Sequence, residues 1–221
     1  MRQIYQEELN QLNQQLIEMG HTVESAIEDA ITALSTKDRN LARQVIRNDE
    51  IVNRMEKDIE NRCLMLILKE QPVAGALRLI SSILKIITDL ERVGDQATDI
   101  AEISMLFTNE GFIKKLTHIP QMSEATIRML NKSIEAFVSK DEELAHEVIG
   151  LDDDVDRLFD VIKNELIEMI QSRKDSGEQA INFLMIAKYL ERIGDHAENI
   201  AEWVLFSISG RHSNGTDSLH S

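Results

Sequence analysis

Apolar residues return every third or fourth position over long stretches of this chain. Ile80, Ile83, Ile87, Leu90, Gly94, Ala97, Ala101 and Ser104 step 3,4,3,4,3,4,3, and Ala180, Phe183, Ala187, Leu190, Gly194, Ala197, Ala201 and Val204 repeat those steps 100 residues later. Such spacing keeps one face of an α-helix apolar and predicts nearly aligned helices packed as a bundle. The period-two alternation of a half-buried strand is absent. Both seams pass from large residues to small ones. Gly94 and Gly194 fall inside predicted helices, where glycine costs up to about 1 kcal/mol relative to alanine. Close approach by a neighbouring helix is the expected compensation.

Sparse punctuation divides the chain into six helices. Ser35-Thr-Lys-Asp38 ends the first, with Asp38 as N-cap of the second, and Gln71-Pro72 stops the second. Pro120 is expected to open the fourth, where its missing N–H costs nothing, and Ser139-Lys-Asp141 and Lys174-Asp-Ser-Gly177 divide the rest. The prediction is an all-α protein of two tandem three-helix bundles: a first repeat over 1–107, a linker over 108–119, a second repeat over 120–208 and a disordered tail over 209–221 rich in Ser, His, Gly and Asn. Helices of about 30 residues, the fourth shorter, would each be about 45 Å long.

The halves are copies of one unit. Asp89-Leu-Glu-Arg-Val-Gly-Asp-Gln-Ala-Thr-Asp-Ile-Ala-Glu102 and Tyr189-Leu-Glu-Arg-Ile-Gly-Asp-His-Ala-Glu-Asn-Ile-Ala-Glu202 match at nine positions at an offset of 100 residues. Upstream, Lys37-Asp38-x-x-Leu41-Ala42 recurs as Lys140-Asp141-x-x-Leu144-Ala145, and Asp49-x-x-Val52-Asn53-Arg54 as Asp152-x-x-Val155-Asp156-Arg157, at an offset of 103. A loop must absorb the difference. A duplicated chain is expected to build a duplicated site.

Composition narrows what such a site does. With 221 residues, 43% of them hydrophobic, the chain buries a sizeable core, and nine glycines, two prolines and few aromatics suit long helices. A formal charge of −15 argues against nucleic acid and anionic lipid surfaces and favours cationic partners or metal ions. The single cysteine, Cys63, lies in an apolar run and reads as an inert buried thiol. Arg2-Gln-Ile-Tyr-Gln-Glu-Glu carries no apolar signal segment, and no run of about 18 apolar residues occurs, so a cytoplasmic protein with no membrane insertion is expected.

The chemistry lies beside the small-residue seams. Glu91, Asp95, Asp99 and Glu102 fall within an arc of about 80°, as do Glu191, Asp195, Asn199 and Glu202. On the second helix of each half Asp49 is followed by Asn53, and Asp152 by Asp156, at i, i+4. Like charges at that spacing destabilise a helix by a few tenths of a kcal/mol, about 0.2–0.5. Arg54, Arg92, Arg157 and Arg192 could offset this as ordinary ion pairs, and a solvated acidic face is the bland reading of any one such pair. Occurrence on two helices in both halves favours a site instead. Facing pairs would supply about four oxygen ligands, a donor set for hard cations: Mg, Mn, Ca, or iron in carboxylate-rich clusters. Zinc is disfavoured without thiolates.

The doubled Leu-Glu-Arg-Val/Ile-Gly-Asp-x-Ala-x-x-Ile-Ala-Glu segments, each preceded by Asp-x-x-Val-Asp/Asn-Arg, resemble the PhoU family of phosphate-signalling proteins, from about Ile4 to Phe206. The resemblance implies two three-helix bundles joined end to end, a homodimer, and metal ions held by Glu/Asp-x-x-x-Asp motifs. By position the ligands would be Asp49, Glu91, Asp95 and Asp99 in one half and Asp152, Asp156, Glu191 and Asp195 in the other. It also implies a non-enzymatic regulator that couples the ATPase subunit of a phosphate ABC importer to a sensor histidine kinase and holds the phosphate-starvation response off when phosphate is plentiful. Asn53 and Asn199 depart from the acidic pattern, so the two sites are expected to differ.

The competing expectation is a ferritin-like di-metal carboxylate protein for metal storage or oxidation, built on Glu-x-x-His pairs. Glu18/His21 and Glu143/His146 have that spacing, but the duplication preserves neither. His196, next to Asp195, is the better imidazole candidate, although Gln96 replaces it in the other copy. Gly-rich phosphate loops, nucleophile elbows and HExxH are absent.

Overall fold

The computed structural model describes residues 2–107, 117–173 and 176–211. They form six helices, α1 (Arg2–Thr36), α2 (Arg39–Glu70), α3 (Gly75–Ser104), α4 (His118–Ser139), α5 (Glu142–Ser172) and α6 (Gly177–Ser209), with no strand among the described residues. The turns follow the chemistry of the sequence. Asp38 Oδ1 accepts from the Asn40 and Leu41 N–H groups at 2.9 and 3.1 Å, and Asp141 Oδ1 accepts from Leu144 N–H at 3.0 Å. These caps satisfy donors that the first turn leaves orphaned. The residue before each cap, Lys37 or Lys140, turns the chain at φ 57°. Gln71, at φ 45°, closes α2 just before Pro72.

Two boundaries differ from expectation. α4 begins at His118, so Pro120 sits inside the first turn, where its N–H would still lack a helical partner, and the last two residues of the expected linker are helical. α6 runs through Ser209, the first residue of the expected tail, and is closed by Gly210 at φ 75°, while 108–116 and the rest of that tail, 212–221, lie outside the described residues.

All sixteen seam residues are buried. α1, α2 and α3 pack on one another, as do α4, α5 and α6, giving one three-helix bundle per half. The bundles lie side by side, not end to end. α3 runs antiparallel along α6: Arg78 meets the turn at Gly210, Asp89 meets His196, and Phe107 stacks on Phe183 with centroids 4.7 Å apart. α1 crosses α4 where Gly20 lets Ile134 in; a Cβ there would collide with Ile134 Cδ1. Equivalent helices therefore meet in opposite directions, and a local two-fold relates the halves. Among the described residues α2 and α5 touch only helices of their own half, which leaves the α2–α3 and α5–α6 grooves on the outside.

Candidate metal centres

Each outer groove is set by a glycine. A Cβ on Gly94 would lie 3.2 Å from Val52 Cγ1, and one on Gly194 would lie 3.2 Å from both Val155 Cγ1 and Asp152 Oδ1. The absent side chains let α2 settle on α3 and α5 on α6. In the second half the space also seats the Asp152 carboxylate against the α6 backbone. Val52 and Val155 are equivalent in the duplication, so the crossing was copied with the chain.

In the second groove Asp152 and Asp156 of α5 face Asp195 and Glu198 of α6. Burial, and then the charges of Glu198, Asp156, Asp195 and Asp153, push the Asp152 carboxyl up to about 7. Asp195 is raised by burial and by Glu191, and Glu198 by burial and by Glu202 and Asp195. Glu191 itself receives a hydrogen bond from Lys188 Nζ. In the first groove Asp49 and Glu56 of α2 face Glu91 and Asp95 of α3. Burial raises Glu91, Asp95 and Glu56, helped by Asp95, Asp49 and Glu60 respectively. Asn53 Nδ2 donates to Asp49 Oδ2 at 2.8 Å, so the amide that breaks the acidic pattern partly satisfies the neighbouring carboxylate. Its equivalent, Asp156, adds charge instead. The departure at Asn53 thus leaves the first groove one carboxylate fewer at this position than the second.

Asp99 interacts with the other half as well as with its own. Burial raises it, with Glu102 and Asp95 adding to the rise, while Arg192 lowers it from across the α3–α6 contact. Glu56 and Glu198 escape a search restricted to duplicated positions, because their equivalents are Phe159 and Thr98. Helical spacing alone could have found them: Glu56 follows Asp49 by seven residues and Glu198 follows Asp195 by three.

His196 does not face the groove. It is buried, and its Nδ1 lies 2.9 Å from Asp89 Oδ1, so it ties α6 to α3 across the two halves. The two Glu-x-x-His pairs belong to α1 and α5, which are not in contact, and His21 and His146 are exposed. The ferritin-like arrangement is not assembled from them. Cys63 is buried and its thiol is pushed up to about 12 by desolvation, which keeps it protonated and inert.

Among the described residues no three His, Cys, Asp or Glu side chains already converge closely enough to hold an ion. The donor chemistry nevertheless fits hard cations: carboxylates from two helices, several held above their ordinary range by burial and mutual repulsion, and a glycine cradle that admits Asp152. Repulsion of this kind leaves a signature in pH. Asp152 titrates near 7 when folded and at about 3.9 when unfolded. Its contribution is therefore most favourable below the unfolded value and is lost as pH rises through the folded one. Metal-free protein is expected to melt at progressively lower temperature from about pH 5 to about pH 8, and Asp152→Asn to flatten that slope. A flat profile for the wild type, or an unchanged slope in the variant, would contradict the assignment.

The PhoU domain model matches the chain twice, over residues 16–104 and 119–204. The chain belongs to the PhoU family. A Clostridium acetobutylicum protein named phosphate-specific transport system accessory protein PhoU homolog is 38% identical over 95% of this chain and 96% of its own. The crystal structure of PhoU from Pseudomonas aeruginosa is similar at a TM-score of 0.88, with 34% identity over 94% of this chain and 100% of that one. That of the phosphate transport system regulatory protein PhoU from Streptococcus pneumoniae has the same TM-score at 26% identity, covering 96% and 100%. PhoU membership thus spans both bundles and both grooves.

Proposed function

We propose that this protein regulates phosphate homeostasis in the cytoplasm. It restrains the phosphate-starvation response and phosphate uptake when phosphate is plentiful, as a homodimeric adaptor between the ATPase subunit of a phosphate ABC importer and a sensor histidine kinase. The observation that carries this reading is likeness over nearly the full chain to an accessory protein of the phosphate-specific transport system. Regulation by contact needs no turnover, only a few kcal/mol of coupling, about 1–3, between partner states.

In this reading the outer grooves are metal centres. Asp49, Glu91 and Asp95, joined by Glu56, would hold a cation in the first half; Asp152, Asp156 and Asp195, joined by Glu198, in the second. Asp99 and Glu191 complete the stripes, the one beside Arg192 and the other beside Lys188. Bound iron, Mg, Mn or Ca would supply the positive charge that offsets carboxylate repulsion and fixes α2 on α3 and α5 on α6. Zinc fits this oxygen-only set less well.

The net charge of −15 favours basic surfaces on the partners, with encounter rates that fall as salt rises. Deleting the gene is expected to switch a starvation reporter on in phosphate-rich medium. Pull-down from lysate should recover the importer's ATPase subunit and the kinase at low salt, and less of each at high salt. A reporter that stays repressed in the deletion strain, with neither partner recovered at any salt, would overturn the adaptor reading.

A further inference from the structure

Each outer groove continues past its carboxylates, toward the turn joining its two helices, as an exposed apolar strip. In the first half Asp49, Asn53, Glu56 and Glu60 give way, within an arc of about 120° on the outer side of α2, to Leu64 and Leu68, which are 47% and 71% exposed. On α3, Leu77 stands five turns before Asp95 on one line and is 42% exposed. The second half repeats the design: Ile167 and Ile170 follow Asp152 and Asp156 on α5, and Ile181 precedes Asp195 on α6. Exposed apolar side chains gathered at the end of an acidic groove are what an interaction face offers.

The halves differ between the charges and the strip. In the second, Lys163 and Lys188 place their Nζ atoms 5.8 and 5.7 Å from the Phe159 ring, and Lys188 also binds Glu191. The duplication puts Glu60, Thr88 and Glu56 at the positions of Lys163, Lys188 and Phe159. The second groove thus supplies its own cations over an aromatic face, an arrangement that is favourable in itself. At the same positions the first groove offers two carboxylates and a hydroxyl.

We propose that the α2–α3 groove of the first half docks an amphipathic helix of a protein partner, with lysine or arginine side chains opposite Glu56 and Glu60 and aliphatic side chains over Leu64, Leu68 and Leu77. Lys163 and Lys188 are the intramolecular counterpart of that partner. A helix laid in such a groove buries an apolar stripe while its basic flank meets the acidic end. This gives the adaptor reading a contact face, and it rests on that reading only in supposing a protein partner. Glu56 is shared with the first ligand set, but the leucines and Glu60 belong to neither, so docking is tested apart from metal binding at those positions.

The probe is a fluorescein-labelled synthetic helix of about five turns, leucine along one face and lysine at one end, with a second peptide carrying glutamate for lysine. Anisotropy is read in chelator at low salt. The lysine peptide should bind the wild type, and Leu68→Glu and Glu60→Lys should each weaken it by about tenfold or more. Ile181→Glu, in the second groove, should leave it unchanged, and the glutamate peptide should not bind. All three positions are exposed, and unchanged circular dichroism verifies folding. Equal affinity for wild type and Leu68→Glu, or an equal loss in Ile181→Glu, overturns the proposal. So does conversion of a dimer into a monomer by Leu68→Glu in sedimentation, which would give the face to a second copy. A failed adaptor phenotype with intact, groove-dependent peptide binding would count against the adaptor reading alone.

Discussion

Gly194→Leu is expected to lower the stability of the protein by about 1–3 kcal/mol or more, the usual cost of overpacking. In a chain of this size that is about 2–4 °C in Tm for each kcal/mol. The first added atom, Cβ, would already lie 3.2 Å from Val155 Cγ1 and from Asp152 Oδ1. The remaining atoms would have to part α5 from α6. Gly94→Leu should behave alike through Val52. Gly150, in the middle of α5, is the contrast: nothing lies within 4 Å of its added Cβ. There Gly150→Ala should be stabilising by about 0.5–1 kcal/mol, because alanine is the better helix former. Thermal melts of the three variants check this, and a Gly194→Leu protein as stable as wild type would place that crossing in open space.

The second large effect concerns the second groove. Asp152→Asn together with Asp195→Asn is expected to abolish Mn²⁺ uptake there, beyond the 10–100-fold typical of losing an outer-sphere partner, while helicity is kept. With the repulsion reduced, the metal-free double variant should melt above the metal-free wild type. Glu198→Gln should weaken uptake without abolishing it. His21→Ala and His146→Ala should leave it unchanged, since both residues are exposed and lie on helices that do not touch. Calorimetric titration separates these outcomes. Full stoichiometry in the double variant would remove the second site, and loss of metal in either histidine variant would restore the ferritin-like reading.

Much of this fold is legible from local rules. The 3,4 stepping picks out a face that is buried along its whole length, and Asp38 and Asp141 mark helix starts because a carboxylate is the cheapest partner for orphaned N–H groups. The duplication places α2 with α3 and α5 with α6 before any contact is known. What periodicity does not give is which neighbour covers each remaining face. The side-by-side meeting of α3 and α6 depends on pairs such as Asp89 and His196, 107 residues apart, whose chemistry is readable only once they are adjacent. For the same reason the position of Asp99 beside Arg192 is not apparent from its stripe. Glu56 and Glu198 are a different case. Their spacing was visible, but they belong to one half each, and a criterion of repetition discards whatever the halves do not share.

These grooves are the proposed metal centres of a PhoU-family regulator. Elemental analysis of the wild-type protein, purified without chelator and without metal-affinity resin, tests that assignment most directly. A hard cation, iron, Mn, Mg or Ca, is expected at about one or more per half, with the share of the second half missing from Asp152→Asn/Asp195→Asn protein. Protein free of metal, and unable to take up Mn²⁺ or iron when titrated, would contradict it.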